Sequence, residues 1–256
     1  MAFIARLSAF AVRLLCDRMD IHLPAVITLP HGAFDPAARA AETQRATERL
    51  RVDGWLDHRD EVDDRLAIAL RVLDQPHYLI DAICHVDARR DAVLAVAGRR
   101  AVKLVVTGDQ VVVRRIQPSG LAAQAVALLP VLREGHGRSV SLPTDALLAA
   151  ASTVDGDAAA LGSALSHAGV SPAVAHLVAS MNTDVVSTAQ FGVAVAARDR
   201  RMVRGDHVIG WWANDTGGYL AEQHRSSSGE SWTTIAPTDS ARLARQLDTL
   251  LKTVHR

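Results

Sequence analysis

Apolar positions along this chain follow two different periods, and the alternation between them sets out the elements. From Met1 to about Met19 the apolar residues Phe3, Leu7, Phe10, Leu14 and Leu15 share one helical face, with Arg6, Arg13 and Arg18 off it. That spacing predicts an amphipathic opening helix. Ile21 to Leu29, interrupted by Pro24, reads as an irregular connection. Asp35-Pro36 then carries the cap and first-turn chemistry of a helix over Ala37–Leu50, rather polar along its length. A sharper stripe of Val62, Leu66, Ile68, Ala69, Leu70 and Leu73 predicts a helix within Asp60–Leu73, halted by Gln75-Pro76.

The period then changes to two. His77–His85, Ala92–Ala97, Ala101–Val106 and Gln110–Ile116 read as four strands. The turn segments between them, Asp87–Arg90, Gly98–Arg100 and Thr107–Asp109, are three or four residues long and contain Gly or Asp. Such short gaps close hairpins, whereas parallel pairing needs a crossover of a dozen residues or more. The four strands are therefore expected to pair as an antiparallel meander. A helix follows Pro118-Ser119 as far as Leu129, and Gly135-His136-Gly137-Arg138 is a loop.

The second part of the chain repeats this order. A short helix is expected over Pro143–Ala151, then a helical hairpin of Asp155–His167 and Ser171–Met181. Its apolar stripes run Ala158, Leu161, Leu165 on the first helix and Val174, Leu177, Val178, Met181 on the second. Strands are expected over Val185–Ala196, Asp206–Ala213, Gly218–Gln223 and Ser231–Ile235, and a closing helix over Asp239–His255. The two last strand-to-helix junctions match, Ile116-Gln117-Pro118-Ser119 against Ile235-Ala236-Pro237-Thr238. Beyond each Pro, alanines fall at equal offsets (Ala122 and Ala125; Ala241 and Ala244), and so do Leu128 and Leu247. These parallels predict an α+β fold of pseudo-twofold, duplicated architecture. In it a central antiparallel β-sheet would be flanked by two helical bundles. The domain organisation expected is one domain over residues 1–256, with pseudo-repeat halves of about 1–135 and 136–256.

Composition narrows the function. At 49% hydrophobic and 22% charged, the 256 residues are ordinary globular composition and can build a core without staples. The 28 basic and 28 acidic residues cancel, so there is no cationic surplus to neutralise phosphates and nucleic acid is not an expected partner. Cys16 and Cys84 lie among apolar neighbours and read as buried thiols, which suits a reducing compartment. Arg6 and Arg13 break the first apolar run, which argues against an export signal, and no later stretch is long and uncharged enough for membrane insertion.

Chemistry-bearing motifs are missing from the sequence. The eleven histidines include no HExxH or Cys/His cluster, there is no GxSxG, and no GxxxxGK[ST] follows Gly135. The Asp60-Glu61-Val62-Asp63-Asp64 run reads as an acidic helix start, and Arg198-Asp199-Arg200-Arg201 as a charged hairpin tip. Neither an enzyme nor a cofactor nor a metal is expected, although His136, Asp109 and Ser139 are the residues an enzyme reading would assemble. Trp211-Trp212 in one strand must point to opposite faces: either both are buried, one beneath helices and one on the second side, or one of them lines a partner groove. Leu161, Leu165, Val174, Leu177, Val178, Met181 and Trp212 are accordingly the partner-binding candidates.

Several segments then carry a resemblance. They are Val208–Leu220 with Asp215-Thr216 and Gly218-Tyr219-Leu220, and Trp232-Thr233-Thr234-Ile235-Ala236-Pro237 with Arg242-Leu243-Ala244. The opening Leu7–Leu15 followed by Leu23-Pro24 is similar in kind. Together they resemble the EspG family of actinobacterial type VII (ESX) secretion. One departure is that Tyr219 follows Gly218 where the family often has an Arg. The resemblance implies a cytosolic chaperone that holds the PPE tip of a PE–PPE heterodimer, keeping the pair soluble until export. It also implies a pseudo-twofold sheet with a helical bundle on either side, and a partner seated on the C-terminal bundle and adjoining sheet. A regulatory or scaffold module binding another protein is the other reading, and a homodimer stays open.

Overall fold

In a computed structural model of the chain, which describes residues 2–131, 133–154 and 157–254, Ser8 divides the first apolar stretch into two elements. Strand β1 (Ala2–Ser8) comes first and helix α1 (Ala9–Met19) second, so the expected single opening helix is corrected. The reason lies in burial: Ala5 and Leu7 face inward while Arg6 and Ser8 face out, a period of two. Leu7 and Phe10 satisfy a helical stripe as well, and only pairing with a partner strand decides between the periods. Ser8 then caps α1, its Oγ accepting the Ala11 N–H at 3.2 Å. The expectations for Met1, the Phe3 side chain, Asp155 and His255 lie outside the described residues.

The remaining elements follow in order. Helices α2 (Pro36–Val52) and α3 (Asp64–Asp74) precede strands β2 (Tyr78–His85), β3 (Arg89–Ala97), β4 (Arg100–Thr107) and β5 (Gln110–Ile116). Next come α4 (Leu121–Val126), β6 (Val140–Pro143), α5 (Thr144–Thr153), α6 (Ala158–His167) and α7 (Pro172–Met181). Strands β7 (Ser187–Ala196), β8 (Met202–Arg204), β9 (Ile209–Asn214), β10 (Gly217–Arg225) and β11 (Ser231–Thr238) lead to α8 (Ser240–Val254). The fold is α+β.

The chain divides into two compact units, and these are not consecutive stretches of sequence. The first comprises Met1–Ile83, Ala88–Leu121 and Ala194–Val203. Its strands run in the order β1-β5-β4-β3-β2. The pairs β1·β5, β5·β4 and β4·β3 are antiparallel, as the short loops require. Gly98 and Gly108 open the two-residue turns of β3–β4 and β4–β5 with φ of 59° and 55°, values that favour glycine at the first central position. Leu66, Leu70 and Leu73 of α3 pack with Val93, Leu104 and Val113 in one apolar cluster. Asp63 fixes the start of α3, its carboxylate accepting the Arg65 and Leu66 N–H groups. The Arg65 guanidinium beside Asp63 holds that carboxyl below the usual carboxylate range.

The second unit comprises Cys84–Asp87, Ala122–Val193 and Arg204–Arg256. Its strand order is β7-β9-β10-β11-β6, with β7·β9, β9·β10, β10·β11 and β11·β6 antiparallel. Strand β11 continues past Ile235, because Pro237, which lacks an N–H, still sits opposite Tyr219 in the register. Strands β6 and β8 were not expected: at four and three residues they are too short to show a period. Ser171 occupies the N-cap position of α7 with Pro172 following, but its side chain makes no capping bond there.

Candidate functional site

The region to which the sequence points lies in the second unit, where α5, α6 and α7 share an apolar cluster with β6, β9, β10 and β11. Leu161 and Leu165 of α6 meet Ala175, Val178 and Met181 of α7 beside Val140, Leu142, Trp212, Tyr219 and Ile235. The two helices approach closely because Gly162 has no side chain; a Cβ there would stand 3.1 Å from the Ala179 Cβ. Five of the seven candidate residues (Leu161, Leu165, Val178, Met181 and Trp212) are buried in this cluster. Val174 and Leu177 are half-buried and pack against it. The helical stripes therefore build a core, with Val174 and Leu177 on its accessible rim.

Polar groups tie this core to the end of α7. The Trp212 indole N–H donates to the Met181 carbonyl at 2.8 Å. Asn214 Nδ2 donates to Thr183 O at 3.1 Å and, more weakly, to Met181 O at 3.4 Å. Its Oδ1 accepts from the Thr216 N–H at 3.0 Å and the Thr216 hydroxyl at 2.7 Å. Thr216 Oγ1 and the Tyr219 hydroxyl are 2.6 Å apart, and the Tyr219 O–H donates to His136 O at 3.2 Å. The Tyr219 ring stacks on Trp212 with centroids 5.8 Å apart at 22°. Such stacking fixes both rings and contributes about 0.5–1.5 kcal/mol beyond burial.

Trp211 and Trp212 point to opposite faces and both are buried, at 1% and 9% exposure. Among the described residues the Trp211 indole N–H meets no hydrogen-bond partner.

The 133–137 segment crosses this site on glycines. Arg133 O accepts the Gly218 N–H at 2.8 Å and Gly218 O accepts the Gly135 N–H at 3.1 Å, a parallel bridge. A Cβ on Gly135 would stand 2.3 Å from the Tyr219 ring, so no other residue fits without displacement. The sequence signal for this crossing was available in Gly135-His136-Gly137 and Gly217-Gly218, which mark close backbone approach.

Beside the crossing lies an open groove of about 520 Å3, lined by Pro130, Val131 and Arg133 on one side and Val186, Asn214 and Asp215 on the other. Val131 is 96% exposed and Val186 69%, so two apolar side chains face solvent at this groove. Sequence reasoning did not single out either valine: Val131 follows the expected helix ending at Leu129 and Val186 lies in the expected strand Val185–Ala196, and neither position signals exposure.

Electrostatics add one half-buried carboxylate. Burial pushes the Glu222 carboxyl above its usual range, while His207, 3.9 Å away, and His224 pull it back in part. Among the described residues no group of three or more His, Cys, Asp or Glu side chains could hold a metal ion. Of the residues an enzyme reading would assemble, Asp109 belongs to the first unit, and His136 and Ser139 to the second. Among the described residues no helix is long and apolar enough to cross a membrane. The arrangement offers apolar surface and backbone positioning.

Comparison with solved structures finds the same fold in the Mycobacterium tuberculosis type VII secretion system chaperone EspG5, in a structure of its complex with the PE25–PPE41 dimer. The match covers 97% of this chain and 96% of that one with a TM-score of 0.74, at 17% sequence identity. No curated protein sequence matches the chain. The EspG family model, however, matches residues 8–249. With almost its whole length matched by that model, the chain belongs to the EspG family.

Proposed function

We propose that this chain is a chaperone for PE–PPE heterodimers in type VII secretion, holding the PPE subunit by its tip and keeping the pair soluble for export. The observation that carries this is membership of the EspG family over residues 8–249, supported by the shared fold with a chaperone solved on a PE–PPE dimer. The protein acts in the cytoplasm as a binding protein and not as an enzyme. Its architecture is a duplication within one domain, halves of about 1–135 and 136–256, with a helical bundle on either side of the sheet. The matched junctions at Ile116–Ser119 and Ile235–Thr238 support that reading.

We assign the partner surface to the second unit, a reading supported by Val174 and Leu177 lying half-buried against the helical cluster. Val131 and Val186 offer apolar side chains at an open groove of the same unit. A partner tip whose apolar residues need shielding gains from such a surface, since each apolar Å2 removed from water contributes roughly 25 cal/mol. The buried candidates Leu161, Leu165, Val178, Met181 and Trp212 act by holding this surface in shape.

Co-expression with each PE–PPE pair of the same genome, followed by size-exclusion chromatography, tests the proposal. A stable ternary complex with at least one pair is expected. Co-elution with no pair, from a protein that is folded by circular dichroism, would overturn it. It would leave the alternative of a scaffold module for another protein.

A further inference from the structure

We draw no further inference here: the strongest candidate outside the partner surface, the side-chain cluster of His207, Glu222 and His224 around β10, offers one 3.9 Å contact and, with no group of three metal-ligating side chains among the described residues, rests only on a shifted carboxyl.

Discussion

Substitution of Trp212 separates two roles that the sequence could not tell apart, a hot spot for a partner and a strut of the core. The ring is 9% exposed, stacks on Tyr219, and donates a 2.8 Å hydrogen bond to Met181 O at the end of α7. Truncating a buried Trp to Ala costs about 3–5 kcal/mol. Trp212→Phe keeps a ring against Tyr219 but removes the N–H and part of the volume. The lost hydrogen bond is worth about 0.5–1.5 kcal/mol net. Met181 O retains only the weak 3.4 Å bond from Asn214. With the smaller ring included, W212F is expected to lose roughly 1.5–3 kcal/mol and W212A roughly 3–5 kcal/mol.

Urea unfolding followed by far-ultraviolet circular dichroism measures both variants against the wild type, with unchanged slope as the control. Partner affinity measured at low temperature, where both variants stay folded, completes the comparison. A strut predicts stability losses in the order Ala greater than Phe, with affinity for a PE–PPE pair weakened less in Phe than in Ala. A stability loss below about 1 kcal/mol for W212A would refute the reasoning, because a buried, bonded and stacked ring cannot be removed so cheaply.

Four further outcomes are expected. Gly135→Ala forces a methyl toward the Tyr219 ring, 2.3 Å from its Cζ, and should destabilise by about 1–3 kcal/mol in calorimetry, whereas Gly210→Ala, whose Cβ would meet nothing nearer than 3.8 Å, should not clash. Glu222→Gln should stabilise the protein at neutral pH. The folded carboxyl titrates above its unfolded value, so the penalty for charging it is present above the folded pKa and vanishes as pH falls below about 4.5; a gain in melting temperature that persists at pH 3 would contradict this. Cys16, whose thiol burial pushes up to about 12, and Cys84, fully buried, should resist iodoacetamide in the native protein and react only on denaturation, as counted by mass spectrometry. Val131→Asp combined with Val186→Asp should leave the unfolding free energy within about 0.5 kcal/mol of wild type and weaken PE–PPE binding, and unaltered binding would move the partner surface elsewhere.

Most helices were legible because a helix satisfies its own hydrogen bonds and needs only a stripe to be recognised. The stripes at Leu66–Leu73 and at Val174–Met181 gave α3 and α7 within a few residues. The partner surface was less legible. The stripe residues Leu165 and Val178 were the ones most deeply buried, while the exposed Val131 and Val186 lay outside both helical stripes. Periodicity reports which side chains seek burial, so it finds the core of a binding unit before it finds the face the unit shows to a partner.

Sequence alone determined the antiparallel pairing of β3, β4 and β5. Two-residue loops opened by Gly98 and Gly108 permit a hairpin and leave no chain for a crossover. Tertiary structure alone decided that residues 2–8 form a strand beside β5 and that the four residues Val140–Pro143 form another beside β11. It also decided that both tryptophans are covered. A strand's hydrogen bonds and a ring's burial are supplied by segments far away in the chain: Leu7 meets Val111, Val140 meets Ile235, and Trp212 meets Met181. No local pattern can name those partners.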